Sequence, residues 1–283
     1  MMPREGRLGK LLIRAQPGSH RTAFARAQPP VLSAAMRGLV KQAIIGTPWE
    51  EPVKWVHSAL TGSKSSLYDS QTIAIMRRVL RPDSTAIDVG AFEGGMLRHM
   101  FRFAPRGRHL AFEPVPIKFQ ELTRTFPAAQ VFPFALGAEQ GVAAYHFMLD
   151  HPALSGLRRR LEHLPDEKVR EIQVPTETLD RAVPADLPVA FIKIDVEGGE
   201  LGVFRGGLQT LRRTRPVVVF ECGVGGADYF GSSPRDIFDF LAEEVDLKVS
   251  LLGAWLAGQS SLSRQSFIEQ FEKKLNFYFA AHP

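Results

Sequence analysis

Four acidic residues stand at the ends of short apolar runs in this chain, each just ahead of a glycine or proline. Asp88 sits in TAIDV (85–89), Glu113 in RHLAFEP (108–114), and Asp195 and Glu197 in VAFIKIDVEG (189–198). After Asp88 the loop reads GAFEGG. Gly90 lets the chain turn tightly, and Gly94 lets a ligand approach the backbone. A helix beginning near Glu93 offers unpaired N–H groups to an anion. An acid just before such a turn suits a ligand with an ammonium, a carboxylate and a ribose. A dinucleotide would need G-x-G-x-x-G, and Phe92-Glu93 would crowd a pyrophosphate, which argues against a nicotinamide oxidoreductase. Glu113 ends the next run, where a carboxylate can accept two ribose hydroxyls and disfavours a 2′-phosphate.

Asp195 and Glu197 carry the candidate catalysis. At a strand end, spaced i, i+2, one suits a general base and the other an orienter of an acceptor hydroxyl, with the reacting atoms held about 3–3.5 Å apart. A competing reading has Asp195 bind a ligand ammonium and Glu197 start the next helix. Glu200 reads as a first-turn helix acid, and Glu221 closes RPVVVFECG (215–223). Asp195, Glu197, Glu200 and Glu221 could also assemble an oxygen-ligand set for Mg²⁺ or Ca²⁺. Their acidity is explained without a metal, so none is expected. His146, His151 and His163 are alternative bases that read as solvated loop residues. Arg158-Arg159-Arg160 reads as a solvated turn with the option of greeting an acidic acceptor.

The elements that must position these residues follow from periodicity. Ile73, Met76 and Leu80 mark a helix stopped by Arg81-Pro82-Asp83. Strands are expected at 85–89, 108–114, 130–136, 142–149, 189–198, 215–223, 246–253 and 275–281. Helical spacing recurs at Met96, Met100 and Phe103, at Phe119, Leu122 and Phe126, at Leu201, Phe204, Leu208 and Leu211, and at Ile237, Phe238 and Leu241. Residues 150–175 read as polar, basic and irregular. Strands apolar on both faces and alternating with helices predict an α/β fold, a mostly parallel sheet with helices on both faces. Such sheets bind ligands outside the carboxyl ends of their strands. That is where Asp88, Glu113, Ala135-Leu136, Asp195, Glu197 and Glu221 fall.

Composition narrows the class. With 283 residues, 45% hydrophobic and 23% charged, the chain can bury one large core. Its single cysteine, Cys222, excludes an internal disulfide and a zinc-finger framework and fits a reducing, cytoplasmic setting. The net charge of +5 is too mild to argue for nucleic acid. Residues 1–65 form a basic, proline-bearing arm, expected to be partly disordered with short helices. They lack the apolar region of a secretory signal, and a weak contact with anionic membrane is their candidate partner. The catalytic domain is expected over 66–283.

In order along the chain, IDVGAFEGG, AFEPVPIKFQEL, LD at 179–180, FIKIDVEGGEL, FRGG and RPVVVFE resemble the FkbM-type family of S-adenosylmethionine-dependent methyltransferases. KIDVEGGE is the most specific piece. The resemblance implies a Rossmann-like class I sheet of seven strands with an antiparallel last strand. It implies that Asp88, Gly90, Ala91 and Gly94 cradle the methionine part of S-adenosyl-L-methionine, with Asp195 at its ammonium. Glu113 would take the ribose hydroxyls, and Ala135 and Leu136 would lie near adenine. The chain has Phe92 where the family usually has Asn, and Arg124-Thr125 where Asn often follows the second helix. The resemblance further implies O-methylation of a hydroxyl on a sugar, lipid-linked or small-metabolite acceptor. The rival is a cofactor-binding but non-catalytic interaction module.

Overall fold

The computed structural model describes residues 64–148, 155–157, 169–224 and 232–283. Residues 1–63, His151, His163 and Arg158–Arg160 lie outside the described residues, so the readings of the basic arm fall there too.

The first described element is α1 (Lys64–Val79), which buries Tyr68, Thr72, Ile73, Ile75 and Met76. There follow β1 (Ala86–Val89), α2 (Gly95–Phe103), β2 (Leu110–Phe112), α3 (Pro116–Thr125) and β3 (Gln130–Phe132). The middle holds β4 (Ala135–Leu136), β5 (Gly141–Met148), β6 (Val169–Glu177), α4 (Leu179–Ala182), β7 (Phe191–Ile194), α5 (Glu200–Gly206), α6 (Leu208–Thr214) and β8 (Val217–Glu221). The chain closes with α7 (Pro234–Asp239) and a π turn (Phe240–Glu244), β9 (Lys248–Leu251), α8 (Leu252–Leu256), α9 (Arg264–Glu272) and β10 (Tyr278–His282).

Seven strands form one sheet in the order β3-β2-β1-β7-β8-β10-β9. All neighbours are parallel except β10, which is antiparallel to both β8 and β9. This is the expected Rossmann-like sheet with its antiparallel last strand. The two-residue period of a strand divides its side chains between two cores. Ile87, Val89, Phe112, Ile192, Ile194 and Phe220 pack with α5, α7 and α9. Ala86, Ala111, Phe191, Val219 and Ala280 pack with α1, α2 and α8. Both faces are covered, so the strands read as continuous apolar runs.

Three expectations need correction. The run 130–136 is not one strand. Pro133 has no N–H for the ladder, so β3 pairs with β2 while β4 leaves the sheet and pairs with β6. Residues 150–175 are not irregular throughout, because β6 begins at Val169. It pairs antiparallel with β5 from Gly141↔Thr176 to Met148↔Val169, building a second sheet, β4-β6-β5. VREIQVPTE escaped notice because it is half exposed and its apolar alternation is short, Ile172 and Val174 amid charged and polar residues. The spacing from Leu201 to Leu211 is two helices, broken at Gly207. There a Cβ would meet the Leu179 side chain at 2.7 Å. Asp180 in α4 caps the new helix, accepting from the N–H groups of Gln209 and Thr210 at 2.9 and 2.7 Å.

His109 ties β1 to the turn before β2. It is fully buried, its Nδ1 faces the Ala86 N–H at 3.3 Å, and its Nε2 faces the Ala104 carbonyl at 2.9 Å. An amide needs an acceptor and a carbonyl needs a donor, so the ring is neutral with its proton on Nε2. Burial holds its pKa below the usual histidine value. The unfolded chain therefore takes up a proton that the folded chain resists. The stability tied to neutral His109 is complete above about pH 6.5 and is lost as pH falls through the depressed folded value. Urea melts at pH 7.5 and 5.5 check this. The fall in stability should be smaller in His109→Gln than in the wild type.

Candidate functional site

The carboxyl ends of β1, β2 and β7 open onto a cleft of about 420 Å³, continuous with solvent. Its walls include Gly90, Glu113, Phe134, Ala135, Leu136, Tyr145, Leu157 and Asp195. The loops carrying them are pinned by backbone contact. Gly90 has φ +78°, and a Cβ there would lie 2.0 Å from the Asp195 carbonyl oxygen. Only glycine allows the β1 and β7 loops to approach so closely. On the other side, a Cβ on Gly206 would lie 2.1 Å from the Gly137 carbonyl. The FRGG segment thus seats the turn that follows Ala135 and Leu136.

Glu113 is a loop organiser as well as a cleft wall. Its Oε2 accepts from the Phe92 N–H and its Oε1 from the Val115 N–H, both at 2.9 Å. Phe92 needs that support because its backbone is left-handed, with φ +47°. Burial pushes the Glu113 carboxyl up, against the pull of those two N–H groups. One acceptor position on each oxygen remains after these bonds.

A charged network lies beside the cleft. Asp88 and Lys193 are direct neighbours across β1 and β7. Lys193 Nζ binds Asp195 Oδ2 at 3.0 Å, and the Tyr278 hydroxyl donates to the same oxygen at 2.5 Å. Asp88 is only 1% exposed, and neither of its oxygens accepts a hydrogen bond of normal geometry. The nearby Leu97 N–H lowers its pKa only slightly. Burial pushes it up to about 6, Lys193 opposes the rise and Asp195 adds to it. Burial alone would lower Lys193, but Asp195 and Asp88 outweigh it and raise the ammonium above its usual value. Burial would likewise raise Asp195. The charge of Lys193 and hydrogen bonds with Tyr278, Lys193 and Glu221 outweigh it, and its pKa is lowered.

Asp195, Glu197 and Glu221 bring one carboxylate oxygen each within 4.8 Å of the others. Glu200 does not join them. It is 1% exposed, and its Oε1 accepts from the N–H groups of Val196 and Gly198 at 3.2 and 3.1 Å. Burial pushes it up to about 7. It braces the loop in which Glu197 takes a left-handed backbone, φ +60°.

The sequence profile described as the methyltransferase FkbM domain matches residues 88–247. The chain belongs to the FkbM methyltransferase family. Membership implies S-adenosylmethionine as methyl donor. Among solved structures, the FkbM methyltransferase of Methylobacillus flagellatus KT is 14% identical with a TM-score of 0.45. The match covers 72% of this chain and 44% of that one, so this chain spans under half the length of that protein. A precorrin-6y C5,15-methyltransferase from Geobacter metallireducens GS-15 is 15% identical over 65% of this chain and 73% of that one, with a TM-score of 0.36. A geranyl diphosphate methyltransferase in complex with S-adenosylmethionine is 14% identical over 85% and 94%, with a TM-score of 0.40. Comparison with curated proteins returned no match.

Within this FkbM domain, five of the expected residues line the cleft: Gly90, Glu113, Ala135, Leu136 and Asp195. Asp88, Ala91, Gly94 and Glu197 stand around it rather than on its wall. Ala91 is buried, with its N–H on the Phe112 carbonyl. Gly94 also serves packing. A Cβ there would meet the Phe126 ring at 2.3 Å, so its smallness lets α3 pack. His146 is adjacent to Tyr145 on β5, so it faces away from the side that lines the cleft.

Three residues went unread in the sequence. Lys193 had a signal, a charge inside a strand buried on both faces. Tyr145 and Tyr278 had none beyond their strands. Tyr145 lines the cleft, its hydroxyl donating to the Ser155 carbonyl at 2.9 Å. Burial beside Glu113 and Asp195 raises the Tyr145 phenol.

The Gly90 contact predicts a large effect. Gly90→Ala combines a left-handed alanine with a steric clash against backbone, together costing roughly 2–5 kcal/mol. Chemical denaturation should show that loss, with Gly95→Ala, where a Cβ meets nothing within 4 Å, as the mild control.

Proposed function

We propose that this FkbM domain transfers a methyl group from S-adenosylmethionine to a hydroxyl oxygen of a sugar, lipid-linked or small-metabolite acceptor. The carrying observation is that Glu113, Ala135, Leu136 and Asp195 line one cleft at the strand ends, with Glu197 and Glu221 close to Asp195.

The residues suit this donor. The buried Asp88 carboxylate has unused acceptor capacity, which matches an ammonium. Glu113 keeps one acceptor position on each oxygen, matching two ribose hydroxyls. Phe134, Ala135 and Leu136 offer an apolar wall for a base. When bound, the donor supplies a methyl group on positively charged sulfur.

The remaining chemistry belongs to the chain. An acceptor hydroxyl must be oriented and must lose one proton. Asp195 is a poor proton acceptor, because Lys193 and Tyr278 hold it as an anion. It suits orientation and stabilisation of nearby positive charge. Glu197, in the same loop, is the general base in this reading. The basic arm would serve as a weak contact with anionic membrane, and no nucleic acid is involved.

Calorimetry should show binding of S-adenosylmethionine and of its demethylated product, with none of NAD. Tritiated methyl should pass from the donor into a hydroxylated fraction of cell extract. Binding without any transfer would leave a cofactor-binding interaction module. Glu113→Ala should weaken donor binding by about 1.5–3 kcal/mol, roughly ten- to 150-fold.

The affinity should also depend on pH through Asp88. Its carboxyl is pushed up to about 6 in the free protein and must be ionised to meet an ammonium. Affinity should therefore rise as pH rises through about 6 and level off above it. Calorimetric titrations from pH 5 to 7 should show the rise in the wild type and a flat profile in Asp88→Asn.

A further inference from the structure

Tyr278 begins β10 opposite Glu221 of β8, at the edge of the acidic cluster. It does not line the cleft, yet its hydroxyl reaches Asp195 Oδ2 at 2.5 Å, the short end of the range for O–H···O bonds to a carboxylate. Lys193 Nζ binds that same oxygen at 3.0 Å. Two donors from different strands converge on one oxygen and fix where it sits, and the hydrogen bond with Glu221 adds a third hold on the carboxylate.

The tyrosine is itself held. Its ring stacks on Tyr68 of α1, centroids 5.3 Å apart and planes inclined by 28°. The Tyr68 hydroxyl donates to Asn276 Oδ1 at 2.8 Å, and Asn276 Nδ2 donates to Gln270 of α9, also at 2.8 Å. Helices on both faces of the sheet thus brace one phenol.

The charges around Asp195 show why the brace matters. Asp88 faces it from β1, Lys193 from β7, Glu197 and Glu200 from the loop and helix that follow, Glu221 from β8 and Tyr145 from β5. Asp69 of α1 acts on Lys193 and Tyr278 from behind. Carboxylates outnumber the single ammonium. Repulsion among them would drive a proton onto one of them unless a donor stabilises the anion.

We propose that Tyr278 is a positioning residue of the methyl-transfer site, whose hydroxyl, together with Lys193, holds Asp195 as a fixed anion beside the positive sulfur of the donor. This rests on the reading of the site given above. Tyr278 touches neither donor nor acceptor. It acts through Asp195, reserving that carboxylate for charge stabilisation and leaving proton acceptance to Glu197.

The test compares two ligands that share ammonium, carboxylate, ribose and adenine and differ in the charge on sulfur: S-adenosylmethionine and S-adenosylhomocysteine. The ratio of their dissociation constants cancels Asp88 and Glu113 and reports on what faces the sulfur. It is measured by calorimetry from pH 5 to 8. Asp195→Asn should lower the preference for the sulfonium at every pH. In Tyr278→Phe the preference should match the wild type at pH 8 and fall on acidification. The midpoint of that fall should lie about one to two pH units above the wild-type midpoint, the equivalent of one hydrogen bond to a charged group. Tyr68→Phe, which keeps the stacked ring but cuts its hydrogen bond to Asn276, should move the midpoint in the same direction and by less.

A Tyr278→Phe curve superimposed on the wild type, with Asp195→Asn lowering the preference, overturns the role of Tyr278 and leaves the site reading standing. An Asp195→Asn preference equal to the wild type overturns the site reading itself, and the proposal with it. Should Tyr278→Phe not fold, fluorotyrosine in a Tyr145→Phe background tests the same bond. A more acidic phenol donates more strongly, so the midpoint should move down, and an unmoved midpoint overturns the proposal.

Discussion

One buried ammonium, that of Lys193, holds together the acidic ends of the two central strands. It sits beside Asp88 on β1 and binds Asp195 beyond the end of β7, on the face that packs against α1 and α2. Taking these charges out of water is costly, and their attraction repays the cost only when geometry is good and other hydrogen bonds are satisfied. Tyr278 supplies part of that satisfaction for Asp195. Asp88 draws on the nearby Leu97 N–H and remains a buried carboxylate with unused acceptor capacity. The network is thus settled at its Asp195 end and unsettled at its Asp88 end, an imbalance that a cationic ligand group would relieve.

The second constraint is steric. The cleft exists because two backbone contacts are unusually close, Gly90 on Asp195 between loops and Gly206 of α5 on Gly137 in the turn after β4. These contacts bring the turns after β1, β4 and β7 to one place. Neither glycine needs to touch a ligand to be required for binding one. Gly94 works in the same indirect way, giving room to Phe126 and so setting α3 behind the Glu113 turn.

The acids divide the labour according to their surroundings. Glu113 and Glu200 spend oxygens on backbone N–H groups, and each braces a loop that contains a left-handed residue, Phe92 in one case and Glu197 in the other. Asp195 is bound by an ammonium and a phenol. Glu197 and Glu221 complete a trio with it. Carboxylates of similar sequence context therefore carry different tasks, because partners rather than residue type set their charge and orientation.

By itself the sequence determined the sheet-and-helix alternation, most strands of the main sheet from TAIDV to LNFYFAA, and the placing of Glu113 and Asp195 at strand ends. Apolar periodicity and the glycine and proline stops are local signals, and strand-end position is enough to forecast a cleft-lining residue in a parallel sheet. The tertiary structure alone decided the rest. Pro133 sends β4 to a second sheet whose partner, β6, has only the short alternation of Ile172 and Val174 to announce it. Tyr278, far along the chain from Asp195, becomes its donor only because the last strand inserts antiparallel between β8 and β9. Gly94 reads as ligand access in sequence, and the structure adds a packing role that sequence could not show, since what a missing Cβ makes room for depends on the neighbour that folding brings. Glu200 turns inward while Glu197 joins Asp195 and Glu221, a choice made by loop geometry that no spacing rule contains.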